Sequence, residues 1–173
     1  DPFAPVPKEK IVHELMGEDS PGGRLDLITG QFEISKYAFA SDARSLDLIK
    51  EHFLQSIERY RSDYDLIVFD TNPNATFLTR CALEAADRVL APMQADIYSL
   101  RGVRLLNQVI RDQIAADSRP DLSVLFNFVA RSEQSTFEAD ARNGTYNAAA
   151  GFDLASALLR SALPRSGHLQ VRA

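Results

Sequence analysis

Asp65-Leu66-Ile67-Val68-Phe69-Asp70, followed by Thr71-Asn72-Pro73-Asn74, is the stretch on which the fold turns. Four apolar residues between aspartates read as a strand buried on both faces, the kind found in a parallel sheet covered by helices, and the polar tetrapeptide ends it. Asp70 then stands at the strand's carboxyl end. In open α/β sheets ligands bind at that edge, where strand ends and helix N-termini leave backbone N–H groups free. A carboxylate in that position holds a metal ion or orients a water.

Downstream, residues 77–86 read as a helix with Leu78, Cys81, Ala82 and Ala85 facing inward, and residues 88–92 as a strand broken at Pro92. Residues 100–114 read as a helix with Leu100, Val103, Leu106 and Ile110 on one side, and residues 122–129 as a third buried strand. Strand, helix, strand, helix, strand in that order specifies a right-handed parallel α/β sheet, doubly wound with helices on its faces. Upstream, Leu46, Ile49, Phe53, Ile57 and Tyr60 recur at three- and four-residue steps and predict a helix over 43–61. Residues 25–29 read as a short strand closed by Gly30. Residues 8–16 carry Ile11, Val12, Leu15 and Met16 at helical spacing and predict a short amphipathic helix, ended by Gly17 and the Ser20-Pro21-Gly22-Gly23 turn.

The ends are less regular. Three prolines among the first seven residues predict a loop or extended lead-in. Residues 34–40 fit no single pattern, residues 131–143 predict a helix, and residues 158–163 an edge strand stopped by Pro164-Arg165-Ser166-Gly167. Residues 169–173 close no element.

At 173 residues, 45% hydrophobic and 25% charged, the chain builds one globular core of ordinary size, so a single domain over 1–173 is expected. No apolar run reaches the roughly 18 residues that span a bilayer, and no secretory leader opens the chain, so a soluble cytoplasmic protein without a membrane partner is expected. The lone Cys81 makes no internal disulfide, and His13, His52 and His168 are too scattered for a zinc site. Charge is uneven. Residues 1–100 hold ten basic and seventeen acidic side chains, whereas residues 101–173 hold nine arginines, no lysine and seven acids. Arginine suits phosphate and carboxylate contacts, although scattered surface arginines need no such role.

Three chemistries place an aspartate where Asp70 stands. A phospho-accepting receiver domain needs a lysine on a later strand, and no lysine follows Lys50. A haloacid-dehalogenase-type phosphotransferase needs a second aspartate two residues on, where this chain has Asn72. A nucleotide hydrolase uses such an aspartate toward magnesium, directly or through water. The bland alternative is that Asp70 caps the helix beyond Pro73.

A longer stretch separates these. Residues 64–73, then Leu78-Thr79 and Ala82-Leu83-Glu84-Ala85-Ala86-Asp87, then the run from Pro92 to Gly102 with Asp96 and Leu100, resemble in order and spacing the ParA/MinD family of P-loop ATPases. Leu125-Phe126-Asn127 resembles that family's strand whose asparagine approaches adenine, and Leu163-Pro164-Arg165-Ser166 its later loop near the base. The resemblance implies a P-loop NTPase-like fold, binding of ATP and Mg2+, a sandwich homodimer, non-specific DNA binding through basic patches, and stimulation by a ParB-like partner in plasmid or chromosome partitioning. It implies that Asp70 faces magnesium and the attacking water, that Asn127, Pro164 and Arg165 lie near the nucleotide, and that Asp96 lies near the dimer face. Arg101, Arg104 and Arg111 on one helix, with Arg131 or Arg165, are the DNA-contact candidates, as a local patch on a chain of net charge −5.

The chain departs from the family, among other places at Thr29 where a proline is usual, in the phosphate loop and in the switch. The glycine-rich phosphate loop Lys-Gly-Gly-x-Gly-Lys-Thr is absent from the 173 residues, Gly22-Gly23 being followed by Arg24, and Asn72 replaces the first proline of the switch. The expectation is therefore a C-terminal portion of a ParA-type ATPase domain that does not hydrolyse ATP by itself. A MinD-like positioning ATPase and a non-catalytic scaffold or adaptor are the alternatives.

Overall fold

The computed structural model describes residues 8–30, 43–72, 76–129 and 134–164. The proline-rich lead-in, residues 34–40, Pro73, Arg131 and Arg165 lie outside them. The chain divides into two compact units, one of residues 1–68 with 76–81 and one of residues 69–75 with 82–173.

The first unit carries a hairpin where a helix was expected. A 3-10 turn at Lys8–Lys10 leads into β1 (Val12–Met16), which pairs antiparallel with β2 (Leu25–Ile28) in the register Val12↔Ile28, His13↔Leu27, Glu14↔Asp26, with an irregularity between Glu14 and Met16. Four apolar residues in six fit a helical stripe, but the connecting turn decides the matter. Ser20 N–H donates to Gly17 O at 3.0 Å and Gly23 N–H to Ser20 O at 2.9 Å, and Gly23 takes a φ of 81° open to glycine without strain. The chain is folded back, and a ladder replaces the helix.

Helix α1 (Ala43–Tyr60) follows its expected bounds closely, with Leu46, Ile49, Phe53, Ile57 and Tyr60 forming a half-buried stripe. Polar groups tie its end to the hairpin. Lys8 Nζ lies 2.7 Å from Asp63 Oδ2 and 4.8 Å from the centre of the Tyr64 ring, while Arg24 Nη2 is 2.8 Å from Asp26 Oδ2. Tyr64 donates its hydroxyl to Asp26, whose side chain is only 5% exposed. Arg24 first, and then Tyr64, hold the Asp26 carboxyl below its ordinary value.

The stretch at 65–70 departs from expectation. Residues 66–69 enter neither sheet, and Leu66 and Val68 are 75% and 76% exposed. An apolar run supplies side chains for a buried strand, but the ladder requires partner backbone, and neither sheet takes up this run.

The second unit is the α/β body. Helix α2 (Phe77–Ala85) crosses the division between units, with Cys81 fully buried, as its place on the inward face predicts. Then follow β3 (Arg88–Met93), α3 (Ile97–Gln113), β4 (Asp121–Val129), α4 (Gln134–Arg142), α5 (Asn147–Ala150), α6 (Leu154–Ala157) and β5 (Leu158–Pro164). The three strands form a parallel sheet in the order β3-β4-β5, flanked by helices in the manner of a P-loop NTPase-like fold. Its core gathers Val124 and Phe126 of the central strand, Leu100 and Val103 of α3, and Leu154, all nearly without solvent contact. A second cluster joins Ile110 and Ile114 to Leu83. No described helix is long and apolar enough to cross a membrane.

Candidate functional site

Parallel strands of one sheet end on the same edge, and here that edge collects three of the residues singled out by sequence. Met93, the last residue of β3, pairs with Phe126; Asn127 pairs with Leu163 and Val129 with Pro164. Asp96 follows β3 by three residues. The carboxyl edge of β3-β4-β5 therefore carries Asp96, Asn127 and Pro164 in turn, the location at which α/β sheets bind ligands.

Asp96 has a defined local task. As the N-cap of α3 it accepts from Tyr98 N–H at 2.8 Å and Ser99 N–H at 2.9 Å through Oδ1, and from the Ser99 hydroxyl at 2.7 Å through Oδ2. These satisfy donors that the helix leaves orphaned. The Ser99 backbone N–H, then the Ser99 hydroxyl, hold the Asp96 carboxyl below its usual range.

At Asn127 the ladder breaks. Two residues of β4 advance against one of β5 between Asn127 and Val129, so Phe128 is the extra residue of a β-bulge. Phe128 takes φ 58°, the one positive value at a non-glycine among the described residues, and its N–H is accepted by Asn127 Oδ1 at 3.0 Å. Left-handed backbone costs a residue with a β-carbon about 1–2 kcal/mol. Phe128 is nonetheless 59% exposed. Nothing in the sequence marks this residue, because an apolar side chain at the end of a buried strand reads as core.

Asp70 is exposed and lies outside both sheets. It is not the residue that takes up the Thr79 N–H in the first turn of α2, since Thr76 Oγ1 accepts it at 3.3 Å. No group of three or more potential metal ligands exists among the described residues.

The arginines of α3 are exposed at 101, 104 and 111. They differ in surroundings. Arg104 lies across Gly151, the residue after α5, so closely that a β-carbon there would stand 3.0 Å from its Nε and 3.2 Å from its Cδ. The C-terminal end of α3 is closed by Arg119, whose Nη2 donates to Arg111 O at 2.6 Å and whose Nε donates to Ile114 O at 3.1 Å.

Comparison with known proteins bears on the family of the chain. A family model described as an AAA domain matches residues 6–124, more than half of the chain. A chromosome partitioning protein ParA of Myxococcus xanthus is 40% identical over 63 residues, 36% of this chain and 22% of that protein. The sporulation initiation inhibitor protein Soj of Bacillus subtilis is 39% identical over 56 residues, 32% of this chain and 22% of its own length. The cell division protein PomZ of Myxococcus xanthus is 25% identical over a longer span of 141 residues, 70% of this chain and 44% of that protein. The chain thus spans less than half the length of these relatives. No solved structure matches it significantly. On the match over residues 6–124, and on its similarity to the ParA and Soj proteins named above, the chain belongs to the AAA-domain family of ParA/MinD type.

Proposed function

We propose that this chain is part of a ParA-like partitioning or positioning ATPase of the cytoplasm, working as a homodimer that binds ATP with Mg2+. The observation that carries the reading is the single carboxyl edge on which Asp96, Asn127 and Pro164 follow one another. In this reading Asn127 and Pro164, with Arg165, border the adenine, Asp96 stiffens the start of α3 near the dimer face, and Asp70 faces magnesium and the attacking water. Magnesium would draw charge from the phosphates; Asp70 would orient the water through its carboxylate. Arg101, Arg104 and Arg111 would meet DNA phosphates without reading bases, and a ParB-like protein would stimulate turnover. Residues 1–173 would form the C-terminal portion of the ATPase domain.

Magnesium-dependent ATP turnover by the full-length protein tests this. The expected result is turnover that Asp70→Ala abolishes while ATP binding remains. One observation favours a second reading: Asn72 replaces the family's proline beside an exposed Asp70. If the full-length protein binds a partner but no nucleotide, a non-catalytic scaffold or adaptor is the better account, and the ATPase reading fails.

A further inference from the structure

Phe128 combines three features that folding alone does not ask for. Strand periodicity puts it on the face of Val124 and Phe126, which are 0% and 1% exposed, so a regular β4 would bury a third apolar side chain there. Instead the bulge and the left-handed backbone turn it outward, to 59% exposure. A phenylalanine thus forgoes burial and accepts backbone strain in the same step. Glycine, asparagine or aspartate is the usual occupant of such a conformation.

The surroundings give the exposed ring a purpose. It stands at the carboxyl end of the central strand, one residue past Asn127 and opposite the β5 segment from Leu163 to Pro164. Asn127 also supports the distortion, because its Oδ1 takes the Phe128 N–H at 3.0 Å. The bond ties the Asn127 side chain to the backbone that carries the ring, and uses one of the two lone pairs of its oxygen. Strained residues held by their neighbours gather at ligand sites, and a flat aromatic face at a sheet's carboxyl edge suits a flat heteroaromatic partner.

We propose that Phe128 is a stacking platform for the purine base of the bound nucleotide, held in its outward position by Asn127. This rests on the nucleotide-binding reading above and adds the residue that supplies base affinity. Stacking contributes only where a base is present, so its loss is separable from damage to the fold.

The test is isothermal titration of the full-length protein with ATP and with inorganic tripolyphosphate, which lacks base and sugar. Phe128→Ala is expected to weaken ATP roughly tenfold and leave tripolyphosphate unchanged, because a stacked base contributes about one to two powers of ten in affinity. Phe128→Tyr is expected to restore ATP affinity. Phe128→Gly is expected to melt no lower than wild type, since glycine removes the backbone strain, while binding ATP as weakly as the alanine variant. Unchanged ATP affinity in Phe128→Ala overturns the stacking role alone. So does an equal loss for tripolyphosphate, or a loss confined to single-stranded oligonucleotides. Wild-type protein that binds no nucleotide overturns the nucleotide reading, and this inference with it.

Discussion

Arg104 of α3 covers Gly151, the left-handed residue that ends α5 at φ 73°. The contact joins two helices of the α/β body through one long side chain and one residue that has none. Gly151→Ala meets two costs, the positive φ and the displacement of the Arg104 stem, so a loss of about 1–2 kcal/mol is expected in urea unfolding. Arg104→Ala should cost less, by removing packing without strain. A Gly151→Ala protein as stable as wild type would mean that Arg104 moves aside freely.

Since Arg104 already packs on Gly151, the arginines at 101 and 111 are the cleaner probes of DNA binding. Replacing both by alanine should weaken DNA binding by a similar factor on unrelated sequences. It should also reduce the slope of log affinity against log salt by about 2, one unit for each lost phosphate contact. A slope that stays at the wild-type value would show that this face of α3 does not meet DNA.

Asp96 caps α3 through three hydrogen bonds, and its carboxyl is held below its ordinary value of 3.8. Asp96→Ala should lower the melting midpoint by about 2–4 °C at neutral pH, and Asp96→Asn by less, because asparagine caps almost as well. A group whose folded value is depressed stabilises the fold above its unfolded value and loses that contribution as pH falls through the folded one. The gap between wild type and Asp96→Ala should therefore be steady near neutrality and close progressively below pH 3.8. Melting curves across that range decide it.

The Tyr64–Asp26 hydrogen bond has two pH limits. Asp26 is held below 3.8, by Arg24 and then Tyr64, so its contribution fades in acid; Tyr64 is held above 10.0, chiefly by Asp26, so its contribution is complete below 10.0 and fades as pH rises through the folded value. Tyr64→Phe should destabilise the hairpin unit by an amount that is constant between about pH 5 and 9 and smaller beyond either limit. Equal destabilisation at pH 2 would point to lost packing of the ring.

The α/β body was legible because its elements are long and its periods unambiguous. Leu100, Val103 and Ile110 are buried as their spacing predicts, and the strands at 88–93 and 121–129 lie where apolar runs stand between helices. The hairpin was not legible, because Ile11, Val12, Leu15 and Met16 satisfy a helix as well as they occupy β1 and its approach, and only the fold-back at Gly23 separates the two. At 66–69 the sequence supplies apolar side chains but says nothing about which backbone pairs with them. Asp96 and Asn127 came into view through the resemblance to the ParA/MinD family, and their hydrogen bonds were not legible. Phe128 was invisible, since a bulge is a property of two strands in register and no single strand's pattern contains it.

Strand β4 lies between β3 and β5. Each amide of β4 bonds to one neighbour only, but between Val124 and Phe126 the strand is paired on both sides and its side chains form the core, so these amides are freed only when that core opens. In deuterium these amides should be the slowest in the chain, and their rates should report the opening of the whole α/β body. A ligand seated at the end of that strand would slow them all, at a distance from any atom it touches.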